Sequence, residues 1–493
     1  MTHRGGRSDP GIVAVKPANK AEPSAAESVE PRTGTKGNAD QQSTRQAQDW
    51  ESVSQALARI RQAAKLRKKE RFTSLLHHVS VDLLRLSFFA LKKDAAPGVD
   101  GLAWRDYETN NLEGNLEDLH DRVHRGAYRA LPSRRQYIPK ADGRQRPIAI
   151  CALEDKIVQR AVAMVLNAIY EEDFRGFSYG FRPKRSQHDA LDALMVGITT
   201  TKVNWILEVD IRSFFDEVNR DWLGRFLEHR MADPRILRLI QKWLKAGVLE
   251  NGVVTDSEKG TGQGTVISPL LANVYLHYSL DLWAEHWRRR EATGDMIIVR
   301  YADDVVVGFE HESDARRFWD AMRERLQKFS LSLHPDKTRL VEFGRVAAAN
   351  RNRRGLGKPE TFAFLGFTLV CSKSRRGRFL LKRRSRRDRM KAKLKDVSNE
   401  LRHRMHQSIP EQGNWLKQVV TGYFAYHAVP TNSAALVTFR DEIIARWRWV
   451  LHRRSQKSAL TWTRMTKLAD DWLPKPRILH PWPNQRFVVK HPR

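Results

Sequence analysis

Asp303 and Asp304 stand side by side between two apolar, β-branched runs, Ile297-Ile298-Val299-Arg300-Tyr301-Ala302 and Val305-Val306-Val307-Gly308-Phe309. The flanks read as two strands joined by a tight turn. Ala302-Asp303 is poor turn chemistry, because a two-residue hairpin loop wants Asn-Gly or Asp-Gly to supply positive φ. A local rule broken at one place points to function there. Adjacent carboxylates repel unless a cation lies between them; a solvated turn is the bland alternative. A third carboxylate, Asp210, closes an alternating stretch with Val203, Trp205, Leu207 and Val209 on one face and Glu208 and Asp210 on the other. Its bland alternative is a turn cap.

Two cations complete the set. Lys140 and Arg146 flank Asp142-Gly143, a hairpin turn, and sit on opposite arms near enough to act on one triphosphate. Carboxylates converging beside such a pair suit phosphoryl transfer with two divalent ions ~4 Å apart, which activate a 3′-hydroxyl and stabilise leaving pyrophosphate. Mg²⁺ prefers one or two protein carboxylates plus phosphate oxygens and water.

The elements around these residues have a readable order. From residue 203 the pattern gives strand, helices, strand, strand, helix, strand, a ferredoxin-like arrangement. There a strand ending at Asp210 lies beside the hairpin tip. Residues 155–170 read as a helix with a buried face. Ser186 and Asp189 form a capping box for the next helix. Asp233-Pro234 opens a helix that Gly247 closes. Ser268 and Pro269 are expected to start a helix over 270–282, and Ser313 to cap another. The interleaved Gly, aromatic and Arg residues of 176–190 suit a loop hugging a nucleic-acid backbone. Gly260-Thr261-Gly262-Gln263-Gly264 is a second glycine-rich loop, neither a Walker loop nor a dinucleotide fingerprint.

Composition narrows the partner. The chain has 493 residues, 41% hydrophobic, and a net charge of +30, enough for about three domains. Such an excess of Lys and Arg asks for a polyanion, with nucleic acid the default. No apolar run long enough to span a membrane and no secretory h-region are visible. Cys151 and Cys371 alone exclude a disulfide framework or a Cys-x-x-Cys zinc site, so a cytosolic setting is expected. Residues 1–48, poor in aromatics, are expected to be disordered. A basic helical extension over 49–120 follows. The run from Lys373 to Lys395 reads as a phosphate-contacting junction or a charged linker, with helices after it.

Several of these motifs together resemble the reverse transcriptases encoded by bacterial group II introns. The resemblance runs from about Ala95 to the C-terminus. In order it comprises Pro97-Gly98-Val99-Asp100-Gly101, Ile138-Pro139-Lys140, Tyr179-Gly180-Phe181-Arg182-Pro183, Asp210-Ile211-Arg212-Ser213-Phe214-Phe215-Asp216, Ile267-Ser268-Pro269-Leu270-Leu271-Ala272-Asn273, Tyr301-Ala302-Asp303-Asp304 and Phe364-Leu365-Gly366-Phe367. It implies an α+β right-hand polymerase. Fingers and a ferredoxin-like palm would occupy 121–369, and an α-helical thumb and maturase region 370–493. By that resemblance Asp210, Asp303 and Asp304, with the carbonyl of Ile211, would hold two Mg²⁺ ions, Mn²⁺ being able to substitute. Lys140 and Arg146 would hold the triphosphate. Phe215 would exclude a 2′-hydroxyl, Gln263 would line the nucleotide pocket, and Lys337 would protonate pyrophosphate. Phe364, Leu365, Gly366 and Phe367 would position the primer end.

Implied partners are an RNA template, a DNA or RNA primer, deoxynucleotides, the chain's own intron RNA and a DNA target, in a bacterial cytosol or nucleoid. The family's common Pro-Gln-Gly-Gly is Gly262-Gln263-Gly264-Thr265 here, a change bearing on pocket stiffness and fidelity. No His-Asn-His nuclease with cysteine pairs follows the thumb, so second-strand cleavage by this chain is not expected. Two other functions fit the same residues: a domesticated reverse transcriptase in defence or repair, and an RNA-binding splicing cofactor without polymerase activity.

Overall fold

The computed structural model describes residues 11–14, 36–139, 145–255, 259–454 and 460–490. Strand β1 (Gly11–Ala14) is followed by a long helix, α1 (Lys36–Leu66). This helix begins inside the tail expected to be disordered. Its start propagates from an end already fixed by packing. Val53, Ile60 and Ala64 are buried there, while Arg59, Arg61 and Lys65 face solvent. Asp49 adds a buried ion pair with Arg85 at 2.9 Å. Arg85 lies on α2 (Val81–Phe89), and α3 (Trp104–Thr109) and α4 (Leu112–His124) complete the helical block.

β2 (Ser133–Pro139) and β3 (Gln145–Ile150) pair antiparallel with Pro139 opposite Gln145. The arms of the expected hairpin are therefore present; Lys140 and the Asp142-Gly143 turn lie outside the described residues. Then come α5 (Leu153–Tyr170), α6 (Gln187–Thr200), β4 (Trp205–Asp210), α7 (Phe214–Glu217), α8 (Arg220–Glu228) and α9 (Pro234–Lys245). α6 opens with the Ser186–Asp189 capping box, and Asp233 caps α9 with Pro234 in its first turn. β5 (Val248–Glu250) and β6 (Val253–Thr255) extend the first sheet to the order β3-β2-β5-β6.

α10 (Ser268–Leu276) runs through a π-helical turn, His277–Asp281, into α11 (Leu282–Arg290). Ser268 is not its cap. Its hydroxyl donates back to the carbonyls of Thr261 and Gly262, bracing the glycine loop instead. β7 (Met296–Tyr301), β8 (Asp304–Phe309), α12 (Glu312–Gln327) and β9 (Arg339–Glu342) follow. α12 starts before Ser313, and His311 at its cap position makes no side-chain cap bond.

The second sheet has the order β7-β8-β4-β9, with every pairing antiparallel. This is the ferredoxin-like arrangement, with β4 inside. Both faces are covered. Leu207, Val209, Ile298, Val305 and Val307 enter a core shared with the helical block. Ile206, Ile297, Val299, Val306 and Val341 enter another with α6. Burial on both sides explains why 297–299 is continuously apolar rather than alternating. Val203 joins the second core, opposite Leu207, because it precedes β4 and lies outside its alternation.

After α13 (Arg345–Arg353), β10 (Phe362–Phe364), β11 (Phe367–Lys373) and β12 (Phe379–Ser385) form a third sheet. It crosses the boundary drawn at 369/370 and packs into the palm core through Leu369, Cys371 and Leu381. The basic run is thus strand and helix, not linker. Helices α14 (Arg387–His403), α15 (Ile409–His427), α16 (Ser433–Arg453) and α17 (Trp462–Trp472) make a third core of their own. α18 (Pro483–Arg486) leads to β13 (Phe487–Lys490), which pairs antiparallel with β1. Among the described residues no helix is long and apolar enough to cross a membrane.

Candidate active site

The hairpin β7–β8 turns on Ala302 and Asp303, with Tyr301 opposite Asp304. Ala302 takes φ +57°, a left-handed conformation that costs a non-glycine residue about 1–2 kcal/mol. Ser213, Phe181 and Leu365, on the neighbouring loops, are also left-handed, at φ +42°, +57° and +44°. Such strain collects where a fold over-determines a functional site.

The register of β4 against β8 puts Asp210 directly opposite Asp304. Three carboxylates from distant parts of the chain thereby share one end of the sheet. Their charges act on each other. Burial raises the pKa of Asp303, the Asp210 charge adds to this, and Arg146 and Arg300 oppose it. Asp304 is pushed up to about 6 by burial, then by Asp303 and Asp210, with Arg389 opposing. Asp304 is exposed at the rim of the cleft, so solvent screening tempers this shift.

Asp210 is turned toward Lys337, whose ammonium lies 3.1 Å from its carboxylate. In keeping with that, no three His, Cys, Asp or Glu side chains among the described residues already converge in metal-binding geometry. The donor set nonetheless fits a hard divalent cation: carboxylate oxygens from β4 and the β7–β8 turn whose like charges a cation would offset.

Beneath the turn lies a clamp that sequence reading missed. Arg300, inside an apolar run, is fully buried. Its guanidinium forks onto Asp281 at 2.7 and 2.6 Å, and donates to Asn273 Oδ1 at 3.0 Å and to the Ala302 carbonyl at 2.9 Å. Asn273 in turn donates to the carbonyl of Gly180 at 2.8 Å. The Tyr179-Gly180 backbone lies against the turn, with Tyr179 N–H on the Arg300 carbonyl at 2.8 Å. Tyr179 and Arg182 are buried, and Arg182 pairs with Glu171 at 3.0 Å. Tyr179 braces the turn and Arg182 braces its own loop through the Arg175 and Ser178 carbonyls; Phe181 and Lys184 remain exposed. A basic residue interrupting a β-branched strand was the available signal for Arg300.

Of the other expected residues, all but Lys140 are among the described residues. Arg146 is exposed on β3, close enough for its charge to act on Asp303. Ile211 is buried and bridges to Leu333. Phe215 is half-buried, its ring 5.4 Å from that of Phe214, and its carbonyl takes the Thr261 N–H at 3.0 Å. The Gln263 carbonyl takes the Ala149 N–H at 2.7 Å, so the glycine loop ties Phe215 to β3. Leu365 and Gly366 form the two-residue turn between β10 and β11, and Tyr426 donates to the Leu365 carbonyl at 2.7 Å. Phe364 and Phe367 are buried under that turn. Arg389, at the start of α14, acts on Asp304 and approaches Gly366. Sequence reading placed it only in a basic run.

A ferredoxin-like sheet with carboxylates at one end, a second sheet of order β3-β2-β5-β6 and a helical C-terminal region make up a right-hand polymerase fold. Residues 138–369 match the family described as reverse transcriptase (RNA-dependent DNA polymerase). The chain is 34% identical to Protein YkfC of Escherichia coli (strain K12) over 316 residues, 57% of this chain and 77% of that protein. It is 37% identical to the group II intron-encoded protein LtrA of Lactococcus lactis subsp. cremoris over 172 residues, 35% of this chain and 28% of LtrA. It is 27% identical to the mitochondrial nuclear intron maturase 3 of Arabidopsis thaliana over 177 residues, 31% of this chain and 24% of that protein. The chain belongs to the reverse transcriptase family, in the group II intron-encoded branch of RNA-directed DNA polymerases.

Proposed function

We propose that this chain extends a primer 3′-hydroxyl with deoxynucleotides on an RNA template, and that its C-terminal helices hold group II intron RNA during splicing and mobility into a DNA target. The observation that carries the polymerase reading is the register of Asp210 against Asp304, with Asp303 at the adjoining tip. In the reaction the 3′-oxygen bonds to the α-phosphorus, the bond to pyrophosphate breaks, and the hydroxyl proton is released.

Asp210, Asp303, Asp304 and the Ile211 carbonyl would hold two Mg²⁺ ions, or Mn²⁺, which supply Lewis-acid activation and neutralise developing charge. The remaining steps belong to the protein's own groups. Arg146, with Lys140, binds the triphosphate as a planar fork beside a point charge. Phe215 closes the sugar pocket against a 2′-hydroxyl, and Gln263 lines it. The Leu365-Gly366 turn, held by Tyr426, seats the primer end. Lys337 leaves Asp210 as the site fills and gives its proton to pyrophosphate. Basic faces of α1 and α14 take RNA phosphates, which makes binding fall steeply with salt.

The test is primer extension on an RNA template with Mg²⁺, comparing the native chain with Asp303→Ala/Asp304→Ala. Extension by the native chain alone, abolished by a chelator, supports the reading. A folded native chain that binds RNA and extends nothing would shift the function to splicing assistance.

A further inference from the structure

α14 and α16 pack in the third core and part at their surface into a cleft of about 320 Å³. Ser398 and Arg402 of α14 line it with Ala445, Arg446, Trp449 and Val450 of α16. Its volume lies within the roughly 300–1,000 Å³ of pockets that hold small ligands. Trp449 is the odd residue. Trp447, two positions earlier, is fully buried and donates its N–H to Gln412 at 2.9 Å. Trp449 is 42% exposed, and core packing does not account for it.

Two guanidiniums attend this indole. Arg402 lies 5.4 Å and Arg453 4.5 Å from its ring centroid. Arg446 is neutralised by Glu442, while Arg402 and Arg453 are exposed. No acidic side chain lines the cleft. Helical spacing puts Lys391, Lys395, Ser398 and Arg402 along one edge of α14, and all three cations are exposed. Arg389, near the start of α14, puts its charge on Asp304. From Arg389 to Arg402 the helix rises ~20 Å at ~1.5 Å per residue. α14 therefore runs from Arg389 to the cleft.

An exposed aromatic face between cations, in a cleft without acids, suits a planar ring carrying phosphates on either side. We propose that the α14–α16 cleft is a stacking pocket for one unpaired base of a bound RNA. Trp449 stacks the base, and Arg402 and Arg453 swing from the indole to the flanking phosphates. The proposal rests on the RNA-binding reading above and adds to it a place and a preference: an unpaired nucleotide held ~20 Å along α14 from Arg389.

The experiment uses the full chain and two dye-labelled RNA hairpins with the same stem, one carrying a single bulged adenosine and the other fully paired. Affinities are read by anisotropy at several salt concentrations. The native chain should favour the bulged hairpin about tenfold, the scale of one base–aromatic stack. Trp449→Ala should bring the ratio near one, and Trp449→Phe should keep most of it. Arg402→Gln with Arg453→Gln should flatten the salt slope for the bulged hairpin by roughly one to two. Circular dichroism checks that each variant is folded. Equal affinity of the native chain for both hairpins, or an unchanged ratio in Trp449→Ala, overturns the pocket. If that same native chain extends a primer, the pocket falls alone. A native chain that binds neither hairpin and extends nothing overturns the pocket and the RNA-polymerase reading together.

Discussion

Gly180→Ala probes the link between the loop under the active site and the turn that carries its carboxylates. A Cβ on Gly180 would lie 2.2 Å from the backbone nitrogen of Ala302 and 2.8 Å from the Tyr301 carbonyl carbon. Ordinary contact starts near 3.4 Å, so the two backbones must separate by about 1.2 Å. The loop cannot yield freely. Its Tyr179 N–H and Phe177 carbonyl are bonded to the Arg300 backbone at 2.8 and 2.9 Å, and Asn273 holds the Gly180 carbonyl. Displacement therefore falls on Ala302 and carries Asp303 and Asp304 with it. A misplacement of about 1 Å at a reacting centre costs on the order of 10²-fold in rate, or ~2.7 kcal/mol in the barrier. Single-nucleotide extension at saturating deoxynucleotide should show kcat falling by about that factor, with RNA affinity within about twofold. Gly224→Ala on α8, where nothing lies within 4 Å of the new carbon, should keep the native kcat. A folded Gly180→Ala protein with a kcat close to native would refute the coupling of loop to turn.

Arg300→Lys keeps the charge but loses the fork, and with it the bonds to Asn273 and Ala302. It should lower stability by roughly 2 kcal/mol and slow extension; an unchanged melting temperature would remove the clamp from the account. Phe215→Ala should raise ribonucleotide incorporation at least about tenfold in competition assays, and unchanged sugar selectivity would end the gate assignment. Asp155, buried and accepting from the Tyr128 hydroxyl, is pushed by burial from 3.8 up to about 6. The folded chain then holds this proton more tightly than the unfolded one. The stabilisation is full below pH 3.8 and is lost as pH rises through about 6. Asp155→Asn should accordingly gain on the native chain by up to ~3 kcal/mol between pH 4 and pH 7 in urea titrations; a constant difference contradicts the shift. His188 is held down to about 3 by burial, then by His480, Arg486, Arg383 and His427. Its neutral folded form gives full stability above pH 6.5 that is lost as pH falls toward 3, so His188→Phe should flatten the acid limb of the stability curve.

The sequence by itself determined the elements whose signals are local. Apolar runs around Asp303-Asp304 specified a hairpin, the alternation before Asp210 specified where β4 stops, and the order of elements specified a ferredoxin-like palm. Caps were legible where side chain and turn share one residue window, as at Ser186 and Asp233. They misled where a distant loop took the hydroxyl: Ser268 braces Thr261 and Gly262 instead of opening α10.

Only the tertiary structure decided which residues meet. Whether Asp210 faces Asp304 depends on the register of two strands far apart in the chain, and register is set by which faces are buried. Burial of both sheet faces was itself a property of the packed helices. Arg300 looked like a break in a strand; its role exists because Asp281, Asn273 and Ala302 arrive around it from three elements. Arg389 was one arginine among many until α14 docked beside Gly366. Periodicity records the partner an element needs, whereas side-chain identity at a contact becomes meaningful only once long-range packing supplies that partner.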